Sequence, residues 1–304
     1  MGKNILITGG TGTIGISVSE LLANRGHRVR ILSRSVHDKA GSYDYFTWNP
    51  ANGNIEDAAL KNVDAIIHLA GESIAGKKWT KSRKKLLTDS RVNTAKFIKD
   101  VISGMDEKPA AFISASGTGY YGYDTGAIVV KEDSRFGDDF LATLVKKWEA
   151  AADTFEELGM RVVKFRTGLV LSKYGGALEV MARPVKIGIG SPLGRGNQVI
   201  SWIHADDLAA MYGYAVENTA LKGVYNAVSP EPVMNTDFMK TIAKVLKKPF
   251  FMPNVPSFVL KLMLGEMASL VTGGNCVSSE KIRDDGFEFN FNHLEEALEN
   301  LLLS

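Results

Sequence analysis

The sequence predicts an α/β fold: a Rossmann-like doubly wound parallel sheet with helices on both faces, followed by a small mixed C-terminal domain. Three observations predict it. Short β-branched runs alternate with longer helical patterns over the first two-thirds of the 304 residues, which implies parallel strands joined by right-handed crossovers. The run Ala65-Ile66-Ile67-His68-Leu69-Ala70 is almost unbroken in its apolarity, as a strand must be when helices cover both sheet faces. A glycine-rich turn from Thr8 to Gly15 sits at the first strand–helix junction, where this architecture turns sharply.

The elements follow in order. Ile5-Leu6-Ile7 is the first strand, and Ile14 to Asn24 reads as a helix ended near Gly26. Val29 to Leu32 is a second strand, and Tyr45 to Trp48 a weaker, more exposed third. After the Ala65–Ala70 strand come a helix from Lys81 to Ile102, a strand at Ala111–Ala115, a helix from Phe140 to Leu158 and a strand at Val162–Phe165. From Gly168 to Gly196 glycine is dense and the alternation lapses, so this stretch is expected to be loop-rich and to border a substrate cleft. Asp206 to Val216 is helical again, and Val224 to Ala227 is the last sheet strand. Pro230 and Pro232 introduce the C-terminal portion, so the expected domains are 1–228 and 229–304. That portion reads as helices near Asp237–Leu246 and Ser257–Leu270, an alternating strand at Phe287–Phe291, and a last helix with Leu294, Ala297, Leu298 and Leu301 on one face.

Composition excludes several classes of function. With 36 basic and 34 acidic side chains the formal charge is +2, too balanced for a generic nucleic-acid binder. Cys276 is the single cysteine, so no internal disulfide forms. No apolar run approaches the roughly 20 residues that span a bilayer. Histidines at 27, 37, 68, 204 and 293 lack metal-ligand spacing. The expectation is a cytoplasmic protein that handles a small molecule, with no metal, nucleic-acid or membrane partner.

The glycine turn carries the first functional signal. Gly9, Gly12 and Gly15 permit the sharp turn, the approach of a pyrophosphate to the backbone and close helix–strand packing. The helix start then offers free N–H groups and partial positive charge to phosphates, so Gly9, Thr11, Gly12, Thr13, Ile14 and Gly15 are the candidate pyrophosphate contacts. At the end of the second strand stands Ser33-Arg34-Ser35, with no acid before Asp38. An NAD site normally places a carboxylate there for the ribose hydroxyls; Ser33 and Arg34 instead suit a 2′-phosphate. One charge-assisted hydrogen bond is worth roughly 1.5–3 kcal/mol, or about 10- to 150-fold in affinity. The expected cofactor is NADP(H).

The spacing Gly-x-x-Gly-x-x-Gly resembles the short-chain dehydrogenase/reductase superfamily, in its extended and atypical epimerase/dehydratase branch. Further segments carry the resemblance: His68-Leu69-Ala70-Gly71-Glu72, Ser114 to Gly122, and Gly194-x-Gly196-x-Gln198 through Trp202-Ile203-His204-Ala205-Asp206-Asp207. Trp148-Glu149, Arg166-Thr167-Gly168 and Gly175-Gly176-Ala177-Leu178 are similar to a bacterial "epimerase family protein" group with a small C-terminal domain of unknown function. The resemblance implies that His68, Leu69 and Ala70 pass along the adenosine and ribose, that Arg91 and Arg166 contact the cofactor, and that homodimers are common. It also implies chemistry near Ser116, although strict alignment puts Gly117 at the family's serine; Tyr121 and Glu72 are the other candidate catalytic residues.

Two departures qualify that chemistry. The superfamily's Tyr-x-x-x-Lys pair is missing, because no tyrosine has a lysine four residues later, and alignment on Trp148-Glu149 puts Leu141 and Val145 there. Nucleotide-sugar enzymes of the branch keep an Arg-Asp pair after Gly-x-Gly-x-Gln, where this chain has Ile200-Ser201 and only Arg195 nearby. Trp202 and the residues Phe250, Phe251, Met252, Phe258, Met263 and Met267 suggest an apolar pocket, and the lysine-rich segment Lys77–Lys85 reads as a solvated helix start. The leading expectation is an NADP(H)-dependent oxidoreductase for a small carbonyl or alcohol. A non-catalytic NADP(H)-binding redox sensor and a nucleotide-sugar epimerase are the alternatives.

Overall fold

A computed structural model describes residues 2–35 and 43–303, so His37 and Asp38 lie outside the described residues. The order is β1 (Asn4–Thr8), α1 (Thr13–Asn24), β2 (Arg28–Ser33), β3 (Asp44–Asn49), β4 (Asn54–Ile55), β5 (Ala65–His68), α2 (Lys81–Ser103) and β6 (Ala111–Gly117). Then come β7 (Val129–Val130), α3 (Phe140–Asp153), β8 (Arg161–Thr167), β9 (Leu169–Leu171), α4 (Ala177–Lys186), β10 (Val199–Ile200), β11 (Trp202–His204), α5 (Ala205–Glu217) and β12 (Gly223–Ala227). The chain closes with β13 (Val233–Met234), α6 (Asn235–Val245), α7 (Ser257–Leu264), α8 (Ser269–Thr272), β14 (Cys276–Val277), α9 (Glu280–Asp284) and α10 (Leu294–Leu302).

Eight strands form the main sheet in the order β12-β8-β6-β5-β1-β2-β3-β4. All neighbours pair in parallel except β4, which runs antiparallel to β3. The chain winds outward from β1 in both directions, so the winding reverses between β1 and β5. Successive strand residues point to opposite faces, and both faces are apolar. Ile5, Ile7, Ile31, Ile67, Ile113 and Phe165 pack with Val18 and Leu22 of α1 and Leu208 and Met211 of α5. Leu6, Leu32, Ile66, Phe112 and Val162 pack on the other face with Ala95, Ile98 and Ile102 of α2. The doubly wound α/β architecture is therefore present. No helix among the described residues is long and apolar enough to cross a membrane.

A third core joins the glycine-dense stretch to the C-terminal part: Leu171, Leu178, Ala182, Val185 and Trp202 pack with Phe238, Ile242, Leu294, Leu298 and Leu301. Four expectations need correction here. The stretch from Gly168 to Gly196 contains α4, formed despite Pro184 because Leu178, Ala182 and Val185 share one apolar stripe. The expected Ser257–Leu270 helix breaks at Gly265, which has φ +64°, and resumes as a 3-10 turn and α8. Phe287–Phe291 is not a strand. Its alternation arises because Phe287 enters the first core while Phe291 stacks on His204, ring centres 3.9 Å apart. The Asp207 carboxylate takes up the backbone N–H groups of Asn290 and Phe291 at 2.8 and 3.0 Å, which a neighbouring strand would otherwise do. The helix read from Phe140 to Leu158 also ends early, at Asp153, before a 3-10 turn.

Candidate cofactor and active site

The turn after β1 is shaped by what its glycines leave out. Gly9 has φ +72°, and a Cβ there would lie 2.8 Å from the Leu69 carbonyl carbon. A Cβ on Gly15 would lie 2.2 Å from the Gly9 oxygen. Gly12 caps α1 with no side-chain hydrogen bond, and its N–H donates to the Gly9 carbonyl at 3.0 Å. Intrahelical bonding starts with Ile16 on Gly12 at 2.9 Å, so the N–H groups of Thr13, Ile14 and Gly15 have no acceptor among the described residues. Thr11 and Gly12 are exposed, and Thr13 and Ile14 half-buried. Open amides at a helix start form an anion cradle, and it lies where the sheet winding reverses.

The neighbouring β5 end is held by buried polar groups. Thr8 Oγ1 lies 2.8 Å from His68 Nδ1 and accepts the Ala70 N–H at 3.2 Å, while Thr94 Oγ1 lies 3.4 Å from His68 Nε2. His68 is 0% exposed, so its ring is engaged wholly inside the protein. It ties β1, β5 and α2 together, and burial holds it down to about pKa 4, as a neutral ring. The half-buried Leu69 and Ala70 run directly against Gly9.

Arg34 extends from β2 with its side chain 81% exposed, and Ser33 is buried behind it. Arg34 Nη1 lies 3.9 Å from Glu72 Oε1, and Arg83 Nη1 donates to Glu72 Oε2 at 3.0 Å. Arg91 faces the interior: it donates to the Leu87 and Glu72 carbonyls, each at 3.0 Å, and lies over the Trp148 ring at 4.8 Å. Burial pulls its pKa down to about 10. Arg91 thus supports the Gly71–Glu72 loop from beneath. Arg83, read in sequence as part of a solvated cluster, is also turned inward. The signal was available: Arg83, Leu87, Arg91 and Ala95 recur every four residues on one helix stripe.

Ser116, Tyr121 and Arg166 come together in a buried network, which Glu72 does not join. Ser116 Oγ donates to Glu149 Oε1 at 2.6 Å, and Arg166 grips both carboxylate oxygens, through Nε at 2.8 Å and Nη2 at 2.9 Å. Arg166 Nη1 donates to Tyr121 Oη at 3.1 Å and to the Glu132 carbonyl at 3.0 Å. Tyr121 Oη donates to Asn226 Oδ1 at 2.6 Å. Burial opposes the Arg166 charge, but Glu149 and Tyr121 hold the guanidinium above its ordinary pKa. Its guanidinium also lies 3.3 Å over the Tyr120 ring. Arg166 is therefore a buried clamp between β8, α3 and the loop after β6. Burial also pushes the Tyr121 phenol up to about 12, against the lowering effect of Arg166. Sequence reasoning missed Glu149; a carboxylate on the apolar stripe of α3, among Leu141, Val145, Trp148 and Ala152, was its signal.

Leu141 and Val145 face the end of β6: a Cβ on Gly119 would lie 3.2 Å from Leu141, and one on Gly117 3.9 Å from Val145. Met267 packs into the same apolar cluster, as do Trp79 and Leu144. The other expected pocket residues divide. Trp202 and Phe250 belong to the C-terminal core, whereas Phe251, Phe258 and Met263 are exposed. His204 is a buried helix cap whose Nδ1 accepts the Asp206 N–H at 3.0 Å. Ser201 Oγ donates to the Asn275 carbonyl at 2.7 Å, and Arg195 pairs with Asp124 at 3.1 Å.

A parallel sheet with a glycine cradle at its winding reversal defines a Rossmann-like dinucleotide-binding protein. The sequence model of the NAD dependent epimerase/dehydratase family matches residues 5–227, and the chain belongs to that family. A domain of unknown function, DUF1731, matches residues 255–301. The epimerase family protein YfhF of Bacillus subtilis is 37% identical over 300 residues, which cover 98% of each chain. The crystal structure of human epimerase family protein SDR39U1 with NADPH superposes with a TM-score of 0.89 at 32% identity, over 99% of both chains. A nucleoside-diphosphate sugar epimerase from Corynebacterium glutamicum gives a TM-score of 0.80 at 28% identity, covering 99% of this chain and 58% of that one.

Proposed function

We propose that this protein binds NADP(H) and transfers hydride between it and a small, moderately apolar carbonyl or alcohol. The observation that carries this reading is Arg34, an exposed guanidinium beside the open amide cradle of Thr13, Ile14 and Gly15. The bound NADPH of human SDR39U1 supports it. The cradle fits a pyrophosphate because the N–H groups of Thr13, Ile14 and Gly15 stand open at the helix start, on a tight turn that Gly9 and Gly15 permit by leaving out a Cβ. Arg34 and Ser33 would hold the 2′-phosphate, and the backbone at Leu69 and Ala70 would border the ribose. When bound, the nicotinamide supplies or accepts the hydride. The chain's own part is the proton. Ser116 already donates to a carboxylate, so a proton taken from an alcohol by Ser116 Oγ passes on to Glu149. Tyr121, held between Asn226 and Arg166, positions the Arg166 guanidinium that grips Glu149.

Calorimetric titration of the purified protein tests the reading. NADPH should bind more tightly than NADH, and Arg34→Ala should cost NADPH roughly 10- to 150-fold with little change for NADH. Equal or tighter binding of NADH by the unaltered protein would sink it. A second reading, a non-catalytic NADP(H)-binding redox sensor, is favoured by Leu141 and Val145 at the end of β6, since neither moves a proton. Stable NADPH binding without oxidation by any of a broad panel of carbonyls would select it. Turnover of a UDP-sugar would select the third, a nucleotide-sugar epimerase, for which Ile200-Ser201 offers no arginine to a diphosphate.

A further inference from the structure

Arg34 follows β2 and Glu72 follows β5, and β1 with its glycine cradle lies between those strands in the sheet. Their side chains still meet, Nη1 to Oε1 at 3.9 Å. The contact therefore crosses the groove edge above the cradle. Among the described residues Arg34 is held only by this long contact, with its side chain 81% exposed, but Glu72 is anchored. Its N–H donates to Ser90 Oγ at 3.0 Å and its carbonyl accepts Arg91 Nη2 at 3.0 Å. Its carboxylate accepts Arg83 Nη1 at 3.0 Å, and the Arg83 side chain is only 10% exposed. Arg83 Nη2 in turn donates to the Ser73 carbonyl at 2.6 Å. Two cations thus share one fixed carboxylate, and the exposed cation, Arg34, is the one that follows the strand beside the cradle.

We infer that Glu72 is a specificity-determining residue of the cofactor site: its carboxylate competes with the 2′-phosphate of NADP(H) for Arg34 and so restrains the preference for NADP(H) over NAD(H). This rests on the reading of the groove as an NADP(H) site. A phosphate that recruits Arg34 must take it from Glu72 and settle near a negative charge that cannot retreat. The 2′-hydroxyl of NAD(H) is neutral and feels neither effect. Arg83 holds the competitor in place, which gives a purpose to an arginine turned inward from an otherwise solvated lysine-rich segment.

Titration of full-length Glu72→Gln with NADPH and NADH, in low salt and at physiological ionic strength, tests this. NADPH should bind about 5- to 20-fold more tightly at low salt, from the loss of one charge at contact distance. NADH should change less than about two-fold, and the gain should shrink as salt screens the groove. In an Arg34→Ala background the same substitution should give a smaller gain, because only the direct repulsion between Glu72 and the phosphate is then relieved. Glu72→Asp, which withdraws the charge by one methylene, should move the NADPH-to-NADH ratio part of the way and serves if the amide unsettles the loop. 2′,5′-ADP and 5′-AMP, as probes of the adenosine half alone, should repeat the contrast. Unchanged or weaker NADPH binding by both variants overturns the inference. Failure of the unaltered protein to bind either nucleotide overturns the cofactor reading itself.

Discussion

At the scale of single residues, the Ser116–Glu149–Arg166–Tyr121 network separates what can be probed from what must be left alone. Arg166 and Glu149 form a bidentate, almost fully buried ion pair. Removing one partner of such a pair typically costs 3–5 kcal/mol, because the other charge stays buried. Activity lost in an Arg166 or Glu149 variant would therefore be confounded with unfolding. The hydroxyls are the safer probes. Ser116→Ala combined with Tyr121→Phe removes two donors and leaves the ion pair intact, at about 1–3 kcal/mol for each acceptor left unpaired. The expected outcome is loss of turnover with NADPH affinity within about two-fold, since neither hydroxyl borders the glycine cradle. Steady-state kinetics beside calorimetry checks it, and unchanged turnover would refute the Ser116–Glu149 route.

At the scale of elements, the junction of β1 and α1 is where a single methyl group should do the most damage. The Cβ of Gly15→Ala would meet the Gly9 oxygen at 2.2 Å and the Gly10 Cα at 2.6 Å. Both are backbone atoms, so α1 itself must shift from the sheet. Overpacking of this kind costs typically 1–3 kcal/mol, and it displaces the three amides of the cradle. NADPH affinity should fall by at least about 10-fold, a loss of more than about 1.4 kcal/mol, with a lower urea midpoint. Gly12→Ala, whose Cβ meets only the Gly9 oxygen at 3.3 Å, is the milder comparison. This junction was legible in sequence because glycine was required there for steric reasons. The sheet was legible because Ile5, Leu6 and Ile7 must satisfy two opposite faces at once. Other elements hid behind composition. Glycine and Pro184 disguised α4, whose three buried residues seat it on the C-terminal core, and the Phe287–Phe291 alternation imitated a strand while serving two separate contacts. Arg83, Arg91, Glu149 and Arg166 show a related limit. Residue type announces charge, but only their position on an apolar stripe or strand reveals that the charge is spent inside the protein.

At the scale of the whole molecule, the buried imidazoles link folding to pH. His68 lies at the meeting of β1, β5 and α2, and burial lowers its pKa from 6.5 to about 4 in the folded chain. Burial lowers that of His204 as well, outweighing the opposing effects of Asp206 and Asp207. Above pH 6.5 the imidazole is neutral in both folded and unfolded chains, and pH has no leverage through it. Between about 6.5 and 4 the unfolded chain takes up a proton that the folded one refuses, so stability falls as pH falls. Over a window of about two and a half units, at 1.36 kcal/mol per unit, His68 accounts for a loss on the order of 3 kcal/mol. The lowered carboxylates, Glu179 and Glu280, lie at exposed ion pairs and act only below their ordinary pKa of 4.5. The descent from pH 6.5 to 5 therefore belongs to the histidines. Urea unfolding at pH 7, 6 and 5 should show falling stability, and His68→Gln, whose amide can still meet Thr8, should be less stable at pH 7 yet flatter across the series. An unaltered protein equally stable at pH 7 and pH 5, or a His68→Gln variant with the same slope, would show that the imidazole is not held neutral and that the clamp joining the cradle strand to β5 and α2 is looser than its geometry requires.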